Sequence, residues 1–142
     1  MMSHPACAAH DAPATDLHTT GRYHNGQRHG RWTWWHDFEA PQATGDFVDG
    51  RAVGLWTFWY ETGACDCEGE YHGGQKHGLW NFWYPNGHPQ AMGEFVSDAE
   101  DGHWVYWHTN GQRAAEGHYA HGQRIGTWRE WTADGSLCRG VA

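Results

Sequence analysis

Residues 69–83 read GEYHGGQKHGLWNFW, and the spacing inside this stretch governs almost the whole chain. Trp80 is one of five tryptophans set 24 residues apart: Trp32, Trp56, Trp80, Trp104 and Trp128. Each has a Gly two positions before it, at Gly30, Gly54, Gly78, Gly102 and Gly126, and a second Trp three positions after it, at Trp35, Trp59, Trp83, Trp107 and Trp131. The same step carries Gly21, Gly45, Gly69, Gly93 and Gly117, and the aromatics Tyr23, Phe47, Tyr71, Phe95 and Tyr119. Gly63, Gly87, Gly111 and Gly135 keep it too, with Glu39 in the first unit's place. Self-similarity at one fixed period is the mark of a repeat architecture, so residues 21–142 form one domain of five 24-residue units.

Each unit divides into two strands. Leu79–Tyr84 is aromatic-rich and of strand length, and it runs into Pro85-Asn86-Gly87, whose residues suit a three-residue hairpin loop ending in a left-handed Gly. Glu61-Thr62-Gly63, Thr109-Asn110-Gly111 and Ala133-Asp134-Gly135 have the same form. The returning strand covers about His88 to Phe95, and a second Gly-containing loop, Gly73 to Gly78, leads onward. Helix is excluded because Gly recurs too often and no apolar period of 3.6 appears. The expected fold is all-β, a single-layer antiparallel meander of about ten strands, extending on the order of 45 Å at ~4.8 Å per strand.

Pairing across the loop predicts two faces. One would carry Trp83, Ala91, Gly93 and Phe95; the other Trp80, Phe82, Tyr84, Met92 and Glu94. A slip of one residue would exchange the faces of the second strand. On this reading the constant positions hold the array together, and the varying ones recognise something. Trp34, Phe58, Phe82 and Tyr106 form an aromatic stripe; Tyr60 and Tyr84 lie beside it; Asp46, Glu70 and Glu94 add carboxylates. These nine residues are the candidate binding site. The bland alternative for the stripe is mutual packing along the sheet.

Composition narrows the function. The formal net charge is -8 with His neutral, which speaks against nucleic acid and against adhesion to anionic lipid. No apolar run approaches the ~20 residues of a membrane helix. Residues 1–20 lack the basic and apolar regions of a secretory signal; their Ala/Pro/Thr/His content reads as a disordered tail. Cys7, Cys65, Cys67 and Cys138 do not follow the repeat, so reduced thiols in a cytoplasmic protein are expected rather than a disulfide framework. The His residues of the Gly loops, such as His24, His29, His72 and His77, read as surface loop residues; zinc needs about four convergent ligands. The carboxylates recur once per unit and make a ladder, whereas a glycosidase needs one pair at one separation. No metal, no cofactor and no catalytic residue is expected.

The unit G-x-[YF]-x-x-G-x-x-x-G-x-W-x-[WFY]-W resembles the MORN repeat, and Gly69 to Trp80 is close to a variant form found in antitoxin-like proteins of bacterial toxin–antitoxin systems. The chain departs from it at Glu39 and at Asp98, each standing where the pattern has Gly. The resemblance implies a single-layer β-hairpin array, a scaffold or protein-binding role and no enzymatic activity. It also links such arrays to membrane lipid, a partner that the net charge disfavours. The expected partner is a protein with a basic surface. The alternative is a small ligand or glycan, since Trp/Tyr/Gly hairpins also resemble choline-binding modules, where aromatics beside carboxylates hold a quaternary ammonium.

Charge alone yields one test. Protonating all 13 His would move the net charge from -8 to +5 (-8 + 13). Solubility should pass through a minimum at about pH 5–6, where imidazole titrates; a solubility curve flat from about pH 8 to 5 would contradict this.

Overall fold

A computed structural model describes residues 19–37 and 39–141. The strands are β1 (Thr19–His24), β2 (Gln27–Asp37), β3 (Ala40–Val48), β4 (Arg51–Trp59), β5 (Cys65–His72), β6 (Gln75–Trp83), β7 (Pro89–Val96), β8 (Ala99–Trp107), β9 (Arg113–Ala120), β10 (Gln123–Trp131) and β11 (Leu137–Val141). They form one antiparallel sheet in sequence order, each strand pairing with its chain neighbours. The expected tail lies outside the described residues as far as His18; Thr19 and Thr20 pair with Trp34 and Thr33.

Two turn types alternate. The expected three-residue loops are present: in Pro85-Asn86-Gly87 the Tyr84 amide donates to the His88 carbonyl, the Gly87 amide donates to the Tyr84 carbonyl, and Gly87 sits at φ 92°. The other turns are tighter than the sequence suggests. Gly73-Gly74 alone connects β5 to β6, with His72 paired to Gln75, and both glycines have positive φ. A two-residue loop of that kind matches the right-handed twist of the flanking strands. Residues 75–78, expected in the loop, belong to β6.

The face assignment needs correction, and one residue per unit is the reason. Trp83 does lie opposite Pro89, as expected, but the next pair is Phe82 with Ala91. Gln90 is an extra residue on β7, a β-bulge, and an extra residue reverses the side-chain alternation of everything beyond it. Asp66 is the equivalent insertion in β5, between the pairs Phe58–Cys67 and Trp59–Cys65. The buried face therefore carries Trp80, Phe82, Ala91, Gly93 and Phe95 together, while Met92 and Glu94 point the other way and are exposed. Trp83, expected among the core residues, is only half-buried.

A core can form on one side of a single sheet because the rings lie directly on backbone. A Cβ added to Gly69 would sit 2.1 Å from the Trp80 ring; Gly21, Gly45, Gly93 and Gly117 meet Trp32, Trp56, Trp104 and Trp128 in the same way. Each indole N–H also donates to a carbonyl ten residues back: Arg22, Asp46, Glu70, Glu94 and His118, at 2.9, 3.2, 3.0, 3.0 and 3.1 Å. Gly78 at φ 76° opens the room for this. The pairing of β5 with β6 runs from Gly69–Trp80 to Glu70–His77, so Gly78 and Leu79 are accommodated as a bulge. Aromatic contacts then chain the units: Tyr71 meets Trp80 edge-on at 5.2 Å, Trp80 stacks on Phe82 at 6.1 Å, and Phe95 meets Trp104 edge-on at 5.1 Å. Edge-to-face pairs at such distances add to the gain from burial itself. Arg28, Lys76 and Arg124 lie over the rings of Trp32, Trp80 and Trp128 at 5.2, 5.4 and 4.0 Å.

This packing ranks the two tryptophans of a unit. Trp80→Ala should destabilise by about 3–5 kcal/mol, as large aromatic truncations in cores do, and Trp83→Ala should cost clearly less. Gly69→Ala should also destabilise, since its methyl must displace the Trp80 ring. Urea denaturation of the three variants checks the order; a larger loss at Trp83 than at Trp80 would refute the register described above.

Candidate functional site

The structure divides the nine candidate residues into three groups. Trp34, Phe58, Phe82 and Tyr106 are 2%, 1%, 8% and 6% exposed. They are core residues of the Trp-bearing face, so the expected recognition stripe is a packing stripe. Phe58 and Phe82 lie on either side of Cys67, which they pair in register. The Tyr106 hydroxyl is 2.9 Å from that of Tyr119. Burial, and then this hydrogen bond, push the Tyr106 phenol well above its ordinary range.

Tyr60 and Tyr84 form the second group, and they join units. The Tyr60 hydroxyl donates to the Trp83 carbonyl at 2.5 Å, and the Tyr84 hydroxyl to the Trp107 carbonyl at 2.6 Å. His36 and His108 hold the same position in their units. Their Nε2 atoms lie 2.9 and 2.8 Å from the carbonyls of Trp59 and Trp131. At this position the first four units read His, Tyr, Tyr and His, a variation that the sequence alone presents as diversity for recognition. Both side chains are planar and of similar reach, with a polar tip, and reach is what the bond needs. Thr132, the fifth residue in the series, instead donates to Asp134 and to the Ser136 carbonyl within its own turn. Those turn bonds, Thr132 first, hold the Asp134 carboxyl down at about 2. Burial raises the phenols of both Tyr60 and Tyr84; for Tyr60 the charge of Asp66 raises it further.

Asp46, Glu70 and Glu94 form the third group, on the opposite, open face. That face can be read as three rows running across the strands. The first pairs Arg31 with Asp46, Leu55 with Glu70, Leu79 with Glu94 and His103 with His118. The second pairs Thr33 with Thr44, Thr57 with Glu68, Asn81 with Met92 and Val105 with Glu116. The third is the half-buried series Trp35, Trp59, Trp83, Trp107 and Trp131. Leu55, Leu79 and Met92 are 55%, 53% and 38% exposed. In the first unit Arg31 and Asp46 form an ion pair at 3.1 Å; in the fourth, Glu116 meets His103 at 2.9 Å and Arg113 at 3.0 Å. Between them, Leu55 and Leu79 stand at the position of Arg31, and neither Glu70 nor Glu94 makes an ion pair among the described residues. Their position in the repeat is visible in the sequence; their company is not, because it depends on the bulges.

No group of three or more His, Cys, Asp or Glu among the described residues could hold a metal ion. His72 and His77 stack face to face, with ring centroids 4.5 Å apart. Cys65 has a free thiol, pushed up to about 11 by burial and then by Glu68, and Cys138 is free as well. No helix among the described residues is long and apolar enough to cross a membrane.

Consecutive hairpins, one tryptophan clasp per unit and an open face of changing residues define a β-hairpin repeat array. A family profile described as the MORN repeat variant matches residues 76–97 and again residues 100–121. The two matches start 24 residues apart and cover the third and fourth units from β6 to β9. No curated protein matches the chain.

The phenols give a test with a defined sign. A phenol raised in the folded state contributes stability that is fully present below its unfolded value of about 10 and is lost as pH rises through the folded value. Stability should therefore be insensitive to phenol ionisation up to about pH 10 and fall above it. Tyr84→Phe should lose about 1 kcal/mol at neutral pH by removing the hydroxyl bond, and its alkaline decline should be shallower. Melts at neutral and alkaline pH decide it; an unchanged Tyr84→Phe melt at both would rule out the inter-unit role.

Proposed function

We propose that this chain is a non-enzymatic repeat scaffold that binds a protein through the open face of its second and third units, and that the partner presents a basic surface. The observation that carries this reading is the pairing of exposed Leu55 and Leu79 with Glu70 and Glu94, two carboxylates without an ion pair among the described residues. Exposed apolar side chains ringed by polar ones are a common form of interaction surface. The carboxylates set orientation and encounter rate with a cationic partner. Because they recur once per hairpin on an open face, they suit steering rather than proton transfer at a single bond. The MORN variant match supports a scaffold. An antitoxin-like role in a bacterial cytoplasm, against a basic protein, is the specific form that the resemblance suggests.

A photo-crosslinking residue at Leu79, in the cells of origin, tests the reading, with the exposed turn residue Thr62 as the control position. A discrete protein should cross-link from position 79 and not from 62, and the product should disappear in a Glu70→Lys/Glu94→Lys background. No protein product from position 79, or equal labelling from both, would overturn the proposal.

A second reading has its own observation, the half-buried row Trp35, Trp59, Trp83, Trp107 and Trp131 on the same face. Such rings could take sugar faces, or a choline-type ammonium by cation–π attraction. Calorimetric titration with oligosaccharides and with choline would show heat for this reading, and heat lost in Trp83→Ala would place the ligand there.

A further inference from the structure

Leu55, Glu70, Leu79 and Glu94 lie on four successive strands, β4 to β7. Leu55 pairs with Glu70, Leu79 with Glu94, and the Gly78 bulge sets Leu79 two residues beyond the His77 partner of Glu70. Crossing the sheet, each Leu and its paired Glu are neighbours across one strand step of ~4.8 Å, and the same pair recurs two strands on, at about 10 Å. The patch is bounded. On one side Asp46 is neutralised by Arg31; on the other, His103 and His118 face each other with rings 5.2 Å apart. Met92 widens it toward the second row.

This spacing discriminates between occupants. An α-helix rises 1.5 Å per residue, so positions seven apart lie about 10.5 Å apart on one side of it. An extended strand covers about 10 Å in three residues, and residues three apart in a strand point to opposite sides. A helix is also ~10 Å wide, enough to cover the first row and reach Met92. A second copy of this chain is disfavoured, because two surfaces of net charge -8 would bring the same carboxylates together.

Resting on the protein-binding reading above, we propose that the open face of the second and third units is a docking site for a cationic amphipathic helix of the partner. The helix crosses the strands with an apolar residue over Leu55, Lys or Arg three positions later over Glu70, and the same pair repeated one heptad on over Leu79 and Glu94. Such alternate three- and four-residue spacing keeps all four contacts on one helical stripe.

The test uses the full chain and three synthetic peptides of roughly 18 residues, long enough to form helix on binding. The first carries Leu and Lys in the proposed pattern. The second has the same composition with the lysines moved to the opposite face. The third has the proposed pattern with a central Pro. Fluorescence anisotropy at moderate salt should show binding of the first, with a gain of helical circular dichroism, and at least ~10-fold weaker binding of the other two. Glu94→Lys should weaken the first at least ~10-fold without lowering the melting temperature, whereas Glu61→Lys, the same charge change in an exposed turn, should act far less. Equal binding of all three peptides, or equal effects of the two charge reversals, would reduce the attraction to net charge and overturn the proposal. Should the patterned peptide fail while position 79 still cross-links a cellular protein, the helix falls and the wider reading stands. Failure of both removes both.

Discussion

Everything in this molecule depends on a tryptophan ring lying flat on a glycine of the preceding strand. A sheet one layer thick has no second layer to cover its core, so each unit covers its neighbour. The ring occupies the space a Cβ would need, 2.1 Å away at Gly69, and its N–H bonds a backbone carbonyl, 3.0 Å away at Glu70. The indole thus buries a large apolar area without orphaning its one polar atom, which buried Trp requires. Gly78, in the left-handed region, makes the bulge that brings the ring into position. The clasp needs Gly twice in each unit for different reasons: once for space, once for backbone conformation.

The clasp joins neighbours only, so stability is expected to spread along the array rather than concentrate in one centre. The hydrogen bonds from His36, Tyr60, Tyr84 and His108 reinforce the same nearest-neighbour logic, each reaching the next unit's Trp carbonyl. The fifth unit differs at this position and at the core aromatic position two residues before it. Glu130 stands where the others have a core aromatic and meets Arg124 at 3.3 Å, and Thr132 bonds within its own turn. Both changes replace a contact to a following unit with a local polar one.

With the aromatic core on one face, the first two rows of the other are free to differ between units, and there they do. One position holds Arg31, Leu55, Leu79 and His103 in successive units. Two of these four keep a neighbouring carboxylate engaged or bounded by charge; the two Leu leave Glu70 and Glu94 open. The docking surface proposed above thus rests on which salt-bridge partner is missing, and the aromatic stripe that first suggested recognition is what the fold itself uses.

The sequence by itself determined the number of units, their length, the all-β class and the three-residue loops, because period and turn chemistry are local and repeat five times. It also marked Asp46, Glu70 and Glu94 as one position of the unit. It did not determine which face each residue occupies. That hangs on single inserted residues, Gln90 in β7 and Asp66 in β5, and a bulge leaves no compositional signature, yet it reverses every side chain beyond it. Nor could it separate Tyr60 and Tyr84 from a binding site, since a hydroxyl aimed at a carbonyl 23 residues away exists only once the hairpins stand side by side. The tertiary structure decided these points, because the burial of Trp80 and Phe82 on one face is satisfied by one register alone, and that register sends Glu94 and Leu79 out together.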